Sequence, residues 1–167
     1  TTVRSSAGSA VYKRQNMTTY IFEYRLSPEA VFPSAHEDAK EIVSFLDSLE
    51  DGKDSIWIGE SAGGGLATGL CVDETFSLRP KKLVLMSPWL DLSDKSKDRN
   101  FLKNKDILIL LDGMHMMGEY YAGEHDPTNP ILSPIFADIK SFPEVLIQVC
   151  SNELLYNDAI EFCKKLE

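Results

Sequence analysis

Five residues, Gly59-Glu60-Ser61-Ala62-Gly63, constrain this chain more than any other feature. They follow an apolar run, Ser55 to Gly59 (SIWIG), that reads as a short, fully buried strand. They open a run of small residues, Ala62 to Val72, that reads as a helix. A serine flanked by glycines at a strand-to-helix junction fits G-x-S-x-G, a tight turn that lifts the serine oxygen clear of a sheet. The flanking residues must be small, because the backbone there is strained and neighbouring elements approach closely. A chain of this length matches the pattern by accident roughly one time in twenty. The strand before it and the helix after it supply the context that the motif requires.

The rest of the chain alternates in the same way. Residues 18–24 (TTYIFEY) are β-branched and aromatic, which predicts a strand. Phe32-Pro33 marks a turn, and Ser34 is placed to cap a helix running to about Leu49. Ala35, Ala39, Ile42, Val43, Leu46 and Leu49 form its apolar stripe, and Asp51-Gly52 ends it. Lys82 to Ser87 and Glu144 to Cys150 read as further buried strands. Asp106 to about Tyr121 reads as an amphipathic helix interrupted by Gly113, and Leu154 to Leu166 as a last helix. Nearly continuous apolar strands alternating with helices predict an α/β fold: a mostly parallel sheet with helices on both faces. The segment at about 93–142 is long for a plain crossover and is expected to be an insertion near the mouth of a site. Residues 17–167 therefore read as part of one domain. Residues 1–16 read as a disordered or non-native lead-in, since Val11 to Gln15 (VYKRQ) matches the translation of a sequencing-library adapter.

Charge narrows the partners. The net charge is −9, from 17 Lys+Arg against 26 Asp+Glu. That balance disfavours nucleic acid, whose phosphates need a basic face, and an anionic membrane surface. No apolar run approaches the roughly 20 residues of a membrane span. Cys71, Cys150 and Cys163 are odd in number and lack metal-ligand spacing, so they read as reduced thiols in a cytoplasmic protein. Neither a metal nor a cofactor is expected.

The chemistry follows from the turn. Ser61 is the candidate nucleophile, and the N–H of Ala62, at the head of the helix behind it, is the first candidate oxyanion donor. Four separated runs extend the pattern: YRLSPEAVFPSAHEDA, GESAGGGLA, LSPWLDLS and NPILSPIF. Together, over residues 18–167, they resemble the hormone-sensitive-lipase-like branch of the α/β-hydrolases. The resemblance implies a carboxylic-ester hydrolase that acts on short or medium acyl chains through an acyl-enzyme.

It also implies an acid just past a late strand, and Glu153 is the best match, with Asp158 as the fallback. Its role would be to orient and stabilise the imidazolium of a histidine. Glu60, Trp89, Met114 and Met117 are candidate pocket residues. Trp89 and Asp91 follow the strand after the motif, and the methionines suit an acyl-binding lid or ordinary helix packing. Tyr24 and Arg25 with Glu37 and Asp38 read as a structural ion-pair network.

Two family features are missing. The His-Gly-Gly motif that supplies further oxyanion donors does not precede residue 18, and the catalytic histidine is expected beyond residue 167. His36, His115 and His125 read as packing or surface residues rather than as the base. The fragment alone is therefore expected to be nearly inactive, and prone to aggregate through unpaired sheet edges. An amidase or deacetylase of the same fold, or a catalytically dead small-molecule receptor, are the alternatives. The oligomeric state is left open.

Overall fold

The computed structural model describes residues 18–49, 54–93, 99–100, 102 and 105–167. The lead-in at 1–16 and the helix stop at Asp51-Gly52 lie outside the described residues. Three parallel strands, β1 (Ile56–Glu60), β2 (Lys82–Met86) and β3 (Glu144–Gln148), form one sheet in that order. The helices are α1 (Ser34–Asp47), α2 (Ala62–Val72), α3 (Leu111–Ala122) and α4 (Tyr156–Leu166), with a 3-10 turn at Pro134–Phe136.

Strand alternation sorts the side chains onto two faces. Trp57, Gly59, Leu83, Leu85, Val145 and Ile147 point to one face, where Leu83 and Leu85 are completely buried against Cys71 and Ala67 of α2. Burying one such leucine contributes on the order of 1.5–3 kcal/mol. Phe162 of α4 packs edge-on to Phe142, ring centroids 5.6 Å apart, over the Ile147 end of that face. α1 lays Ala39 and Val43 against Leu70 of α2. The opposite face carries the row Ile58, Val84 and Leu146, and there Ile58 is 45% and Leu146 63% exposed. Among the described residues the helices thus cover one face, and SIWIG is not buried on both sides.

Other differences have local causes. α1 begins at Ser34, but its N-cap is Pro33, whose carbonyl accepts the Glu37 N–H at 2.9 Å; Ser34 makes no side-chain cap bond. Leu46 and Leu49 are only half-buried. Residues 18–24 form no strand of the sheet: Phe22 makes an isolated bridge and packs instead with Ala39, Val43 and Trp57. The helix expected from Asp106 starts at Leu111. The Asp106 carboxylate accepts the N–H groups of Leu108 and Ile109, both at 2.9 Å, and this side-chain turn competes with helix. Gly113 sits in the first turn of α3 without breaking it. The Arg25 network is present, with Nη2 2.8 Å from Asp38 Oδ1 and 3.6 Å from Glu37. All three cysteines are free thiols. Among the described residues no helix is long and apolar enough to cross a membrane.

Candidate active site

Ser61 joins β1 to α2 with φ 51° and ψ −119°. A non-glycine residue at such φ is rare and strained, at a cost of order 1–3 kcal/mol that the surroundings must offset. The restraints are visible. The Ser61 N–H donates to Met86 O at 3.0 Å, while its carbonyl accepts N–H groups from Gly64, Gly65 and Trp89 at 3.0, 3.2 and 3.0 Å. Ser61 is half-buried and Ala62 is exposed, so the serine stands at the rim of the sheet. The N–H of Ala62 lies in the first turn of α2, outside the intrahelical ladder.

Close approach explains most of the glycines. A Cβ on Gly59 would lie 2.5 Å from the Gly63 carbonyl oxygen, and one on Gly64 2.9 Å from Pro88 Cβ. On Gly65 it would be driven into the Trp89 carbonyl oxygen. Gly63, the last residue of the motif, meets nothing within 4 Å. The crowding that makes the turn small is therefore carried by Gly59, Gly64 and Gly65.

Glu153 lies on the turn after β3, at the same carboxyl end of the sheet as Ser61. It is half-buried, and its carboxylate accepts the Cys150 N–H at 3.3 Å. Asp158 points inward instead. Both of its oxygens accept from Arg99 Nη2, at 2.6 and 2.7 Å, and Oδ2 also accepts the N–H groups of Leu90 and Asp91 at 3.0 Å. Burial pushes its carboxyl up to about 6, against the pull of Arg99 and the Leu90 amide. Asp158 therefore clamps the loop that holds the Ser61 carbonyl.

The pocket candidates divide. Trp89 is buried and donates from Nε1 to Asp91 O at 2.8 Å, and Met114 packs beside it with Leu154 and Leu155. Glu60 ends β1 exposed, and Met117 is 46% exposed on α3. Asp91 is fully buried and accepts the N–H and hydroxyl of Ser93 at 2.8 and 2.7 Å, fixing the loop.

Among the described residues no histidine hydrogen-bonds to Ser61. His36 is buried with Nε2 2.9 Å from Asp73 Oδ2. His125 packs edge-on to Phe32 at 5.1 Å, and with His115 and Glu119 it lines a cavity of about 200 Å³ beside α3. Burial holds His36 below the ordinary imidazole range, against the opposing pull of Asp73. Burial would raise Asp73, yet donors from Lys40, Thr75 and His36 outweigh it and keep this carboxyl well below its usual range. A larger cavity, about 380 Å³, opens by Phe142 and Val145 at the amino end of β3, away from the serine.

Reasoning from the sequence passed over Asp106 and Arg99. Asp106 carried a weak signal, an aspartate, which is a turn-former, at the head of a stretch with helical periodicity. Arg99 carried none, because its partner lies 59 residues away.

A strained serine between a parallel strand and a helix N-terminus is the geometry of the α/β-hydrolase elbow. The chain belongs to the alpha/beta hydrolase fold family, whose model matches residues 6–167. Similar solved structures lie in the hormone-sensitive-lipase branch, as the four sequence runs implied. A hormone-sensitive lipase from a metagenome library superposes with TM-score 0.82 at 35% identity, over 87% of this chain and 50% of that one. A homologue of hormone-sensitive lipase, also from a metagenome library, gives 0.80 at 37% identity, over 87% of this chain and 51% of that one. Among curated relatives, an acetyl-hydrolase of Streptomyces hygroscopicus is 35% identical over 81% of this chain and 46% of its own length. An esterase of Acinetobacter venetianus is 32% identical over 92% and 52%. The chain thus spans about half the length of the relatives it matches.

Proposed function

We propose that the complete gene product is a serine ester hydrolase acting on small carboxylic esters, with Ser61 as nucleophile and Glu153 as orienting acid. The strained backbone of Ser61 at the head of α2 carries this reading, because few other roles justify holding a serine there. A relative named acetyl-hydrolase supports short acyl groups, and one named esterase supports the reaction class.

In the proposed reaction the Ser61 oxygen attacks the ester carbonyl carbon while its proton passes to a histidine base. The oxyanion that forms is met by the N–H of Ala62. Collapse expels the alcohol, which takes the proton, and leaves an acyl-serine. Water, deprotonated by the same base, then releases the acid and regenerates Ser61. Glu153 stabilises the imidazolium between these steps.

His36 is committed to Asp73, His125 packs on Phe32, His115 lines the cavity beside α3 with Glu119, and none of them hydrogen-bonds to Ser61, so this reading takes the base from a histidine outside these residues. Without it the fragment keeps a weak nucleophile, about 10⁶ below full turnover by comparison with serine triads. The test uses the complete gene product and an activated short-chain ester. A burst of alcohol equal to the enzyme present is expected, and Ser61→Ala is expected to abolish it and lower turnover by about 10⁶. Unchanged turnover in Ser61→Ala would overturn the assignment.

A further inference from the structure

We infer that Asp106 is a positioning residue for Glu153, holding the acid's turn from a segment 48 residues away in sequence. The inference rests on the reading of Glu153 as the orienting acid. Asp106 Oδ2 accepts the N–H of Leu154 at 2.9 Å, while Oδ1 serves the local turn through Leu108 and Ile109. The Leu154 N–H belongs to the peptide plane that leaves Glu153, and that plane is rigid. On the other side, the Glu153 N–H donates to Cys150 O at 3.1 Å, and the Glu153 carbonyl accepts the Tyr156 N–H at 3.1 Å. Both peptide planes flanking Glu153 are fixed, and Asp106 supplies a side-chain restraint from outside the turn, beside the Glu153 carboxylate's own bond to the Cys150 N–H.

The anchor itself is firm. The Asp106 N–H donates to Leu102 O at 3.2 Å, and Leu102 is fully buried in one cluster with Trp89, Met114 and Leu154. Burial would raise the Asp106 carboxyl, but the three amide donors outweigh it and keep it below its usual range. An ionised carboxylate therefore bridges the segment before α3 and the acid's turn. Supporting shells of this kind decide whether a catalytic group is held within the fraction of an ångström that it needs.

The two oxygens make the test specific. An asparagine has one acceptor oxygen, so it can serve the Leu108–Ile109 turn or Leu154, with its NH₂ facing whichever donor it drops. In the complete gene product, turnover of an activated short-chain ester is measured per active site, counted by the burst. Asp106→Asn is expected to lower kcat per site by about 10²-fold with KM unchanged. In a Glu153→Gln background the same change should add almost nothing, since the group being positioned is already lost.

A purely structural Asp106 would instead reduce the number of active sites, leave kcat per site at the wild-type value, and act independently of Glu153→Gln. That result would overturn the inference. Wild-type kcat in Glu153→Gln would overturn the acid assignment and the inference with it. Where Asp106→Asn does not fold, Asp106→Ser, whose hydroxyl keeps the local turn, is read in the same assay against the same two outcomes.

Discussion

The turn that presents Ser61 and the turn that presents Glu153 lie at the same end of one sheet, yet they are built by opposite means. The serine turn is held by main chain. Its carbonyl takes three amide donors, and its neighbours are glycines because a Cβ on Gly59, Gly64 or Gly65 has no room. The Glu153 turn is held partly by a side chain brought from elsewhere, Asp106 on Leu154, and the Leu90–Asp91 loop is clamped in the same way by Asp158 with Arg99. The serine turn's motif is contiguous, but its main-chain partners Met86 and Trp89 come from the next strand and its loop, and it tolerates little substitution. A side-chain clamp is scattered over 48 to 68 residues of sequence separation and fails one contact at a time.

Removing one member of the buried clamp should give the largest loss of stability. Asp158→Ala strips a carboxylate from Arg99, with both side chains at most 2% exposed, and takes an acceptor from two buried amides. Breaking such a pair costs about 3–5 kcal/mol, measured as a shift in chemical-denaturation midpoint. A loss under about 1 kcal/mol would mean that the clamp contributes little. The main-chain turn predicts a sharp contrast between two glycines of one helical turn, Gly63 and Gly65. Gly65→Ala should cost about 1–3 kcal/mol through overpacking against the Trp89 carbonyl. Gly63→Ala should be tolerated, and the helix gains up to about 1 kcal/mol from replacing a glycine. Equal effects at the two positions would erase the distinction.

The smallest expected effect tests the far end of α2, where α1 is tied on through His36 and Asp73. His36 is held neutral by burial, so the unfolded chain binds a proton that the folded chain does not as pH falls through about 6.5. Asp73, depressed in the folded state, adds to the same slope once pH drops below about 4. Both contributions are present at neutral pH and are lost on acidification. Denaturation midpoints should therefore decline from pH 7 to pH 5, and His36→Gln should flatten that part of the profile. A profile with the wild-type slope in the variant would place the titration elsewhere.

The contrast between the two turns also separates what could be read from what could not. The helix behind the serine was legible to the residue, Ala62–Val72, because small residues, strand and motif are contiguous. The three strands of the sheet were legible to within two residues at their ends, since each is a short apolar run. The start of α3 was not. The stretch after Asp106 has helical periodicity, but the aspartate spends its oxygens on Leu108, Ile109 and Leu154, and a local pattern cannot show the last of these. Residues 18–24 have strand-like composition yet give only an isolated bridge at Phe22, which packs with Ala39, Val43 and Trp57, because pairing is decided by a partner and not by propensity. Gly63 belongs to the motif, yet it is its neighbours that the packing requires to be bare.

By itself, then, the sequence determined the strand–serine–helix turn around Ser61 and the parallel α/β class. Those are properties of contiguous residues, whose propensities and steric limits act within a few bonds. Only the tertiary structure decided which face of the sheet the helices cover, that Asp158 turns inward to Arg99, and that Asp106 reaches the acid's turn. Each of these depends on hydrogen bonds or burial between residues dozens of positions apart, and no local pattern in the chain encodes such a distance.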